Sequence, residues 1–222
     1  MRQISRLSVI AVSIALLMTL SSCSNTQNTP GTDDQPSTPT ENRETVTSGQ
    51  ISDVPENNNA SGESLHGSIT DAANFEIMEN EDGTVTISRY IGTETDIVIP
   101  SQIGGKTVSA IGNVTGTTGA FEGCTNITAV VIPEGVTEIQ DNAFYGCTSL
   151  ETVTIPSSVT LLRNCAFCDC PNLRAVYFEG DAPQQANYVF DSTENVTMYY
   201  QDGTSGWENP WHGRPAEVYI PE

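Results

Sequence analysis

Cys165, Cys168 and Cys170 fall within six residues in the run Cys-Ala-Phe-Cys-Asp-Cys, the densest group of cysteines in the chain. Thiolates this close can share a zinc ion or close a disulfide. A tetrahedral zinc site needs four ligands, and neither a second Cys pair nor a neighbouring His completes one. The two His, His66 and His212, stand far apart. No Ser, Cys or acid has an evident catalytic partner, and nothing singles out two carboxylates for acid/base work. The chain therefore reads as a non-enzyme without cofactor or metal, and no calcium-loop spacing occurs among its acids.

Charge narrows the partners. The 222 residues hold 28 Asp+Glu against 8 Lys+Arg, a formal net charge of −20. The acid excess persists when the first 22 residues, which contain Arg2 and Arg6, are set aside. Nucleic acid and anionic headgroups both demand basic patches to neutralise phosphate, so neither is an expected direct partner.

Residues 1–22 show a basic start, an apolar run from Leu7 to Leu20 and small residues before Cys23. The run is too short to span a bilayer. The pattern resembles a bacterial lipoprotein signal, which implies cleavage before Cys23, a lipid on Cys23 and extracytoplasmic attachment to a membrane. From Cys23 to residue 70 the composition is Ser, Thr, Asn, Pro and acid, too poor in apolar side chains to offset chain entropy. That stretch is expected to be a disordered tether.

The domain that follows must position whatever the chain presents, and its organisation shows in a repeat. Phe121, Phe144, Phe167 and Phe190 recur at one fixed interval, as do Cys124, Cys147 and Cys170, and Ile127, Leu150 and Leu173. A unit this short cannot bury its apolar side by itself, so neighbours must stack, and stacking places equal residues in equal surroundings. Val130/Val153/Val176 and Ile132/Ile155/Phe178 alternate with more polar residues, the period of a half-buried strand, and Pro133 and Pro156 end those strands. Val136/Val159 and Ile139/Leu162 belong to the return leg. Asp82-Gly83 between two alternating runs signals a hairpin.

The Ile-Pro, Val, Ile, Ala-Phe, Cys and Leu positions at these offsets resemble the BspA-type bacterial leucine-rich repeat. The resemblance implies a repeat solenoid, mostly β, with a parallel sheet on the concave face and short helical or irregular convex segments. It also implies a surface protein that contacts host or matrix molecules. The expected layout is a hairpin cap and first strand over 71–100, leucine-rich repeats over 101–200 and a C-terminal cap over 201–222, with Trp207 and Trp211 covering the open core.

On this frame Phe121, Cys124, Ile127, Phe144, Cys147, Leu150, Phe167, Cys170, Leu173 and Phe190 form the core. Buried thiols are then the first reading of the Cys165/Cys168/Cys170 trio, and a disulfide the second. Asn126, Asn172 and Asn195 are expected to bond the next turn's backbone. The candidate binding face consists of Val98, Val131, Thr154, Tyr177 and Tyr200, flanked by Thr152, Ala175 and Met198. Its expected ligand is a protein, with a glycan as the alternative, because tyrosines suit both contacts. A third reading makes the chain a structural envelope spacer.

Overall fold

A computed structural model describes residues 67–112 and 118–221. Cys23 and the tether up to residue 66 lie outside the described residues, as does most of the Gly/Thr-rich insertion after Gly112. The last tether residue, Thr70, is buried and exchanges hydrogen bonds with Val98, so the ordered domain begins before residue 71.

The described chain opens with a single 3-10 turn, Ala72–Asn74, capped by the Asp71 side chain, which accepts from the Ala73 N–H. Strands β1 (Phe75–Glu79) and β2 (Val85–Tyr90) pair antiparallel around the Asp82-Gly83 turn, where Gly83 takes φ 85°. Then β3 (Asp96–Val98), β4 (Gln102–Ile103) and β5 (Lys106–Ile111) complete the first coil. Each later coil contributes one longer and one shorter strand: β6 (Ala129–Val131) with β7 (Glu138–Ile139), β8 (Thr152–Ile155) with β9 (Leu161–Leu162), and β10 (Ala175–Phe178) with β11 (Gln184–Gln185). The chain ends with β12 (Thr197–Gln201) and β13 (Ala216–Tyr219).

These strands build two sheets on two sides of a β-rich repeat solenoid. The ladder sheet runs β3-β6-β8-β10-β12-β13, parallel throughout. The second sheet runs β1-β2-β5-β7-β9-β11, parallel from β2 onward. The return legs were expected to be short helices or irregular; where they are regular they are two-residue strands. An extended chain advances about 3.3 Å per residue against 1.5 Å for a helix, so a leg as short as Pro133 to Phe144 crosses the coil only if extended.

The third side carries neither sheet nor helix, yet its backbone groups still pair between coils. Phe121, Phe144 and Phe167 each donate their N–H to the next coil, to the carbonyls of Ala143, Ala166 and Val189 at 2.7–2.9 Å. Two residues later Gly123, Gly146 and Asp169 do the same toward Tyr145, Cys168 and Asp191. Inside this wall the phenyl rings stack at 4.7, 5.2 and 5.4 Å from Phe121 to Phe190, within 14° of parallel. Tyr90 closes the file at the hairpin end, 5.2 Å from Phe121.

Cys147, Cys170 and Thr193 share one register position and one bond. Each Sγ or Oγ1 donates to the carbonyl of a Phe in the preceding coil: Cys147 to Phe121 and Cys170 to Phe144, both at 3.1 Å, and Thr193 to Phe167 at 2.7 Å. From Cys147 onward the column thus carries a small side chain that can donate. A small apolar residue would leave the bond unmade, which the packing argument from sequence overlooked. Burial pushes the Cys147 thiol well above its ordinary pKa and the Cys170 thiol up to about 12.

Cys165 and Cys168 are bonded to each other, with Cα atoms 4.7 Å apart. The free-thiol reading is therefore corrected for this pair: Cys165 turns through φ 52°, bringing its sulfur back to Cys168. Cys147 and Cys170 remain free and buried.

Candidate interaction face

Alternation along each ladder strand sends one residue inward and the next outward. Inward lie Ile97, Val130, Val153, Val176, Met198 and Ala216, all nearly inaccessible. Outward run two columns. The first is Asp96, Ala129, Thr152, Ala175 and Thr197; the second is Val98, Val131, Thr154, Tyr177, Tyr199 and Glu217.

Two residues expected on this face are not there. Met198 is fully buried, in the Val176 column, and Tyr200 aligns with Phe178 on the inner side, stacked 4.9 Å from Trp207. The cause is one missing residue. From the buried Ile127, Leu150 and Leu173 to the first strand residue is two positions, but from Val196 to Thr197 it is one. With a side-chain period of two, a slip of one reverses every side chain. Val131, Thr152, Thr154 and Tyr177 do lie on the outer face, and Tyr199 takes the place assigned to Tyr200.

The slip gathers aromatics. Tyr177 stacks on Tyr199 at 5.2 Å and meets Tyr219 edge-on at 5.4 Å. The Gln201 amide donates to the Tyr219 hydroxyl at 3.3 Å. Partial burial, with the neighbouring phenols Tyr199 and Tyr219, raises the Tyr177 pKa, and burial raises that of Tyr219. Both hydroxyls thus stay protonated at neutral pH and can donate. Tyr219 was missed because β13 lies in the segment expected to be a cap. The alternation of Ala216-Glu217-Val218-Tyr219, in which Ala216 takes the inward place of Val176 and Glu217 the outward place of Tyr177, was the available signal.

From Ala129 to Gln201 every outward ladder residue is uncharged: Ala129, Val131, Thr152, Thr154, Ala175, Tyr177, Thr197, Tyr199 and Gln201. Charges border the stripe, in the Arg174–Glu151 ion pair on one margin and in Asp96 and Glu217 on its end strands. A chain with net charge −20 that keeps the middle strands of this face uncharged has lowered the desolvation cost of covering them.

Other sequence expectations land as follows. Asn126 donates to the carbonyls of Thr93 and Glu94, and Asn172 to that of Thr148, so both brace the preceding coil, not the next. Trp211 is buried against Phe178, and Trp207 packs on Phe178 and Tyr200. Among the described residues no group of three or more His, Cys, Asp or Glu converges for a metal. No helix among them is long and apolar enough to cross a membrane.

Residues 114–204 match the BspA type leucine rich repeat region in six copies, and this part of the chain is a BspA-type leucine-rich repeat domain. A leucine rich repeat protein of T. pallidum superposes with TM-score 0.50 at 22% identity, covering 70% of this chain and 84% of that one. A leucine rich cell surface protein from Faecalibacterium prausnitzii A2-165 also superposes with TM-score 0.50, at 30% identity over 68% of this chain. This chain spans 42% of that protein's length. No curated protein matches the sequence. Such repeats are interaction modules of bacterial cell-surface proteins, generally without catalytic activity.

Proposed function

We propose that this protein is a lipid-anchored bacterial surface protein, held by Cys23, whose ladder face docks a protein partner in adhesion to host or matrix surfaces. The carrying observation is the uncharged outer stripe ending in the Tyr177–Tyr199–Tyr219 cluster. Tyrosine supplies rigid contact area and a hydroxyl donor at small entropic cost, which suits an interface hot spot. The likeness to a named cell surface protein supports the location.

Size bounds the affinity. Six strands at about 4.8 Å spacing and roughly four residues of width give a face near 24 by 13 Å. That is well below the roughly 800 Å² per partner of a stable interface, so the partner must also reach the flanking loops or bind transiently.

The test is binding of the full chain to a panel of purified matrix and host-surface proteins, with Tyr177→Ser/Tyr199→Ser and Thr154→Lys beside wild type. At least one panel protein should bind saturably, and both variants should weaken it about tenfold or more while melting near wild type. Unchanged binding by both variants overturns the reading, and silence across the panel favours a spacer.

A further inference from the structure

A second site lies away from the ladder face, where the last return leg meets the C-terminal loop. Gln185, Asn187, Tyr188, Asp191, His212 and Arg214 line an open hollow of about 430 Å³ there, a size that suits a small polar ligand.

One wall carries a residue type that packing does not explain. Tyr188 holds φ 63° with its side chain 72% exposed, at the register position filled by Asn142 and Cys165 in earlier coils. A bulky residue in the left-handed region costs on the order of 1–2 kcal/mol, and its ring here recovers little by burial. Opposite, Trp211 and Arg214 exchange backbone hydrogen bonds at 2.9 and 3.0 Å around His212 and Gly213, at φ 47° and 81°. Two left-handed residues in a two-residue loop make a tight turn that presents His212 and Arg214 rigidly. His212 is further fixed edge-on against Trp211 at 5.0 Å.

Charge supplies the next clue. Of the described basic residues, Lys106, Arg163 and Arg174 are each paired with a glutamate, whereas Arg89 and Arg214 are not. Arg214 forms no such pair among the described residues; it donates one N–H to the Phe190 carbonyl at 2.8 Å, leaving most of its donors for a ligand. Gln185, which also lines the hollow, adds a buried amide Nε2 that has no acceptor. Asp191 and Asn187 supply acceptors beside these donors.

We infer that this hollow binds a carboxylate-bearing sugar residue, with the carboxylate on Arg214, hydroxyls on Asp191 and Asn187, and the ring's C–H face against Tyr188. The guanidinium fork matches a carboxylate. A neutral sugar would leave Arg214 without a counter-charge, and a simple carboxylate would leave Tyr188, Asn187 and Asp191 without partners. The site shares no residue with the ladder face, so the two readings stand or fall separately.

The experiment is calorimetric titration of the full chain with methyl glucuronide and with N-acetylneuraminate, against the methyl ester of the glucuronide, methyl glucoside and acetate. At least one acidic sugar should bind saturably, about tenfold or more tighter than its ester, the neutral glucoside or acetate. Arg214→Gln and Tyr188→Gly should each weaken it about tenfold. Glycine suits φ 63°, so Tyr188→Gly removes the ring without threatening the fold. The inference is overturned by an absence of saturable binding up to roughly 10 mM, by acetate or glucoside binding equally well, or by Tyr188→Gly binding like wild type.

Discussion

In the middle coils the left-handed turn positions are filled by Asn142 and Cys165, then by Gly146 and Asp169; in the last coil the same two positions hold Tyr188 at φ 63° and Ser192 at φ 54°. The backbone path is retained while the side chains best suited to it are lost. The last coil also drops one residue before β12 and replaces Cys with Thr193, keeping the bond to the carbonyl of the preceding Phe. The contrast shows that stacking enforces conformation and cross-coil bonding more strictly than residue identity. Where identity departs furthest, at Tyr188, Tyr199 and Arg214, lie both surfaces proposed to bind partners.

The strongest way to break this comparison is to remove one ring from each region. Phe144 is wholly buried between two stacked rings, whereas Phe190 has one stacked neighbour, Phe167, and slight exposure. Urea denaturation should show Phe144→Ala losing about 3–5 kcal/mol and Phe190→Ala clearly less. Equal losses would mean that the end coil is as tightly held as the middle.

Next comes the donor column. Cys147 and Cys170 have folded pKa values raised by burial, so their stabilising contribution is complete below the unfolded thiol pKa of about 8.5. Above that pH the unfolded chain loses thiol protons that the folded chain keeps. Stability then falls until the folded pKa is passed, about 12 for Cys170. By pH 9.5 the two thiols together should cost about 3 kcal/mol relative to pH 7. The Cys147→Ser/Cys170→Ser variant keeps donors to the same carbonyls but should lack this part of the alkaline loss, read from denaturation midpoints at both pH values. Thr193 already places the last coil in that pH-insensitive class.

The smallest effect should come from Ser192→Gly, which copies Gly123 and Gly146 into the last coil. Relief of the left-handed strain, less the added entropy of glycine in the unfolded chain, should raise stability by about 0.5 kcal/mol. A modest rise in melting temperature would show it; a fall would mean that the Ser192 side chain does more than fill a turn.

The sequence made legible what repeats faithfully. Phe121, Cys147 and Leu150 could be assigned to one interior because identical surroundings demand identical residues. The two-residue strands β7, β9 and β11 were illegible because no periodicity can express itself over so short a run. The register of β12 was lost because the missing residue falls where no side chain marks it, and the regular interval pointed to Tyr200. The Cys165–Cys168 bond could not be read, since the same spacing suits free thiols as well as a bridge. The Gln185–Arg214 hollow escaped notice because its walls lie about 30 residues apart, and the wall that carries His212 and Arg214 belongs to no repeated position.

The backbone bonds on all three sides of each coil have a mechanical consequence. They run along the axis of the stack, so each coil grips only its neighbours. Tension applied along that axis from either end would open them a few at a time, coil after coil, like a zip. Tension applied across the stack would load many of them together in shear. The direction of a pull, more than the total number of bonds, then sets the force the domain withstands.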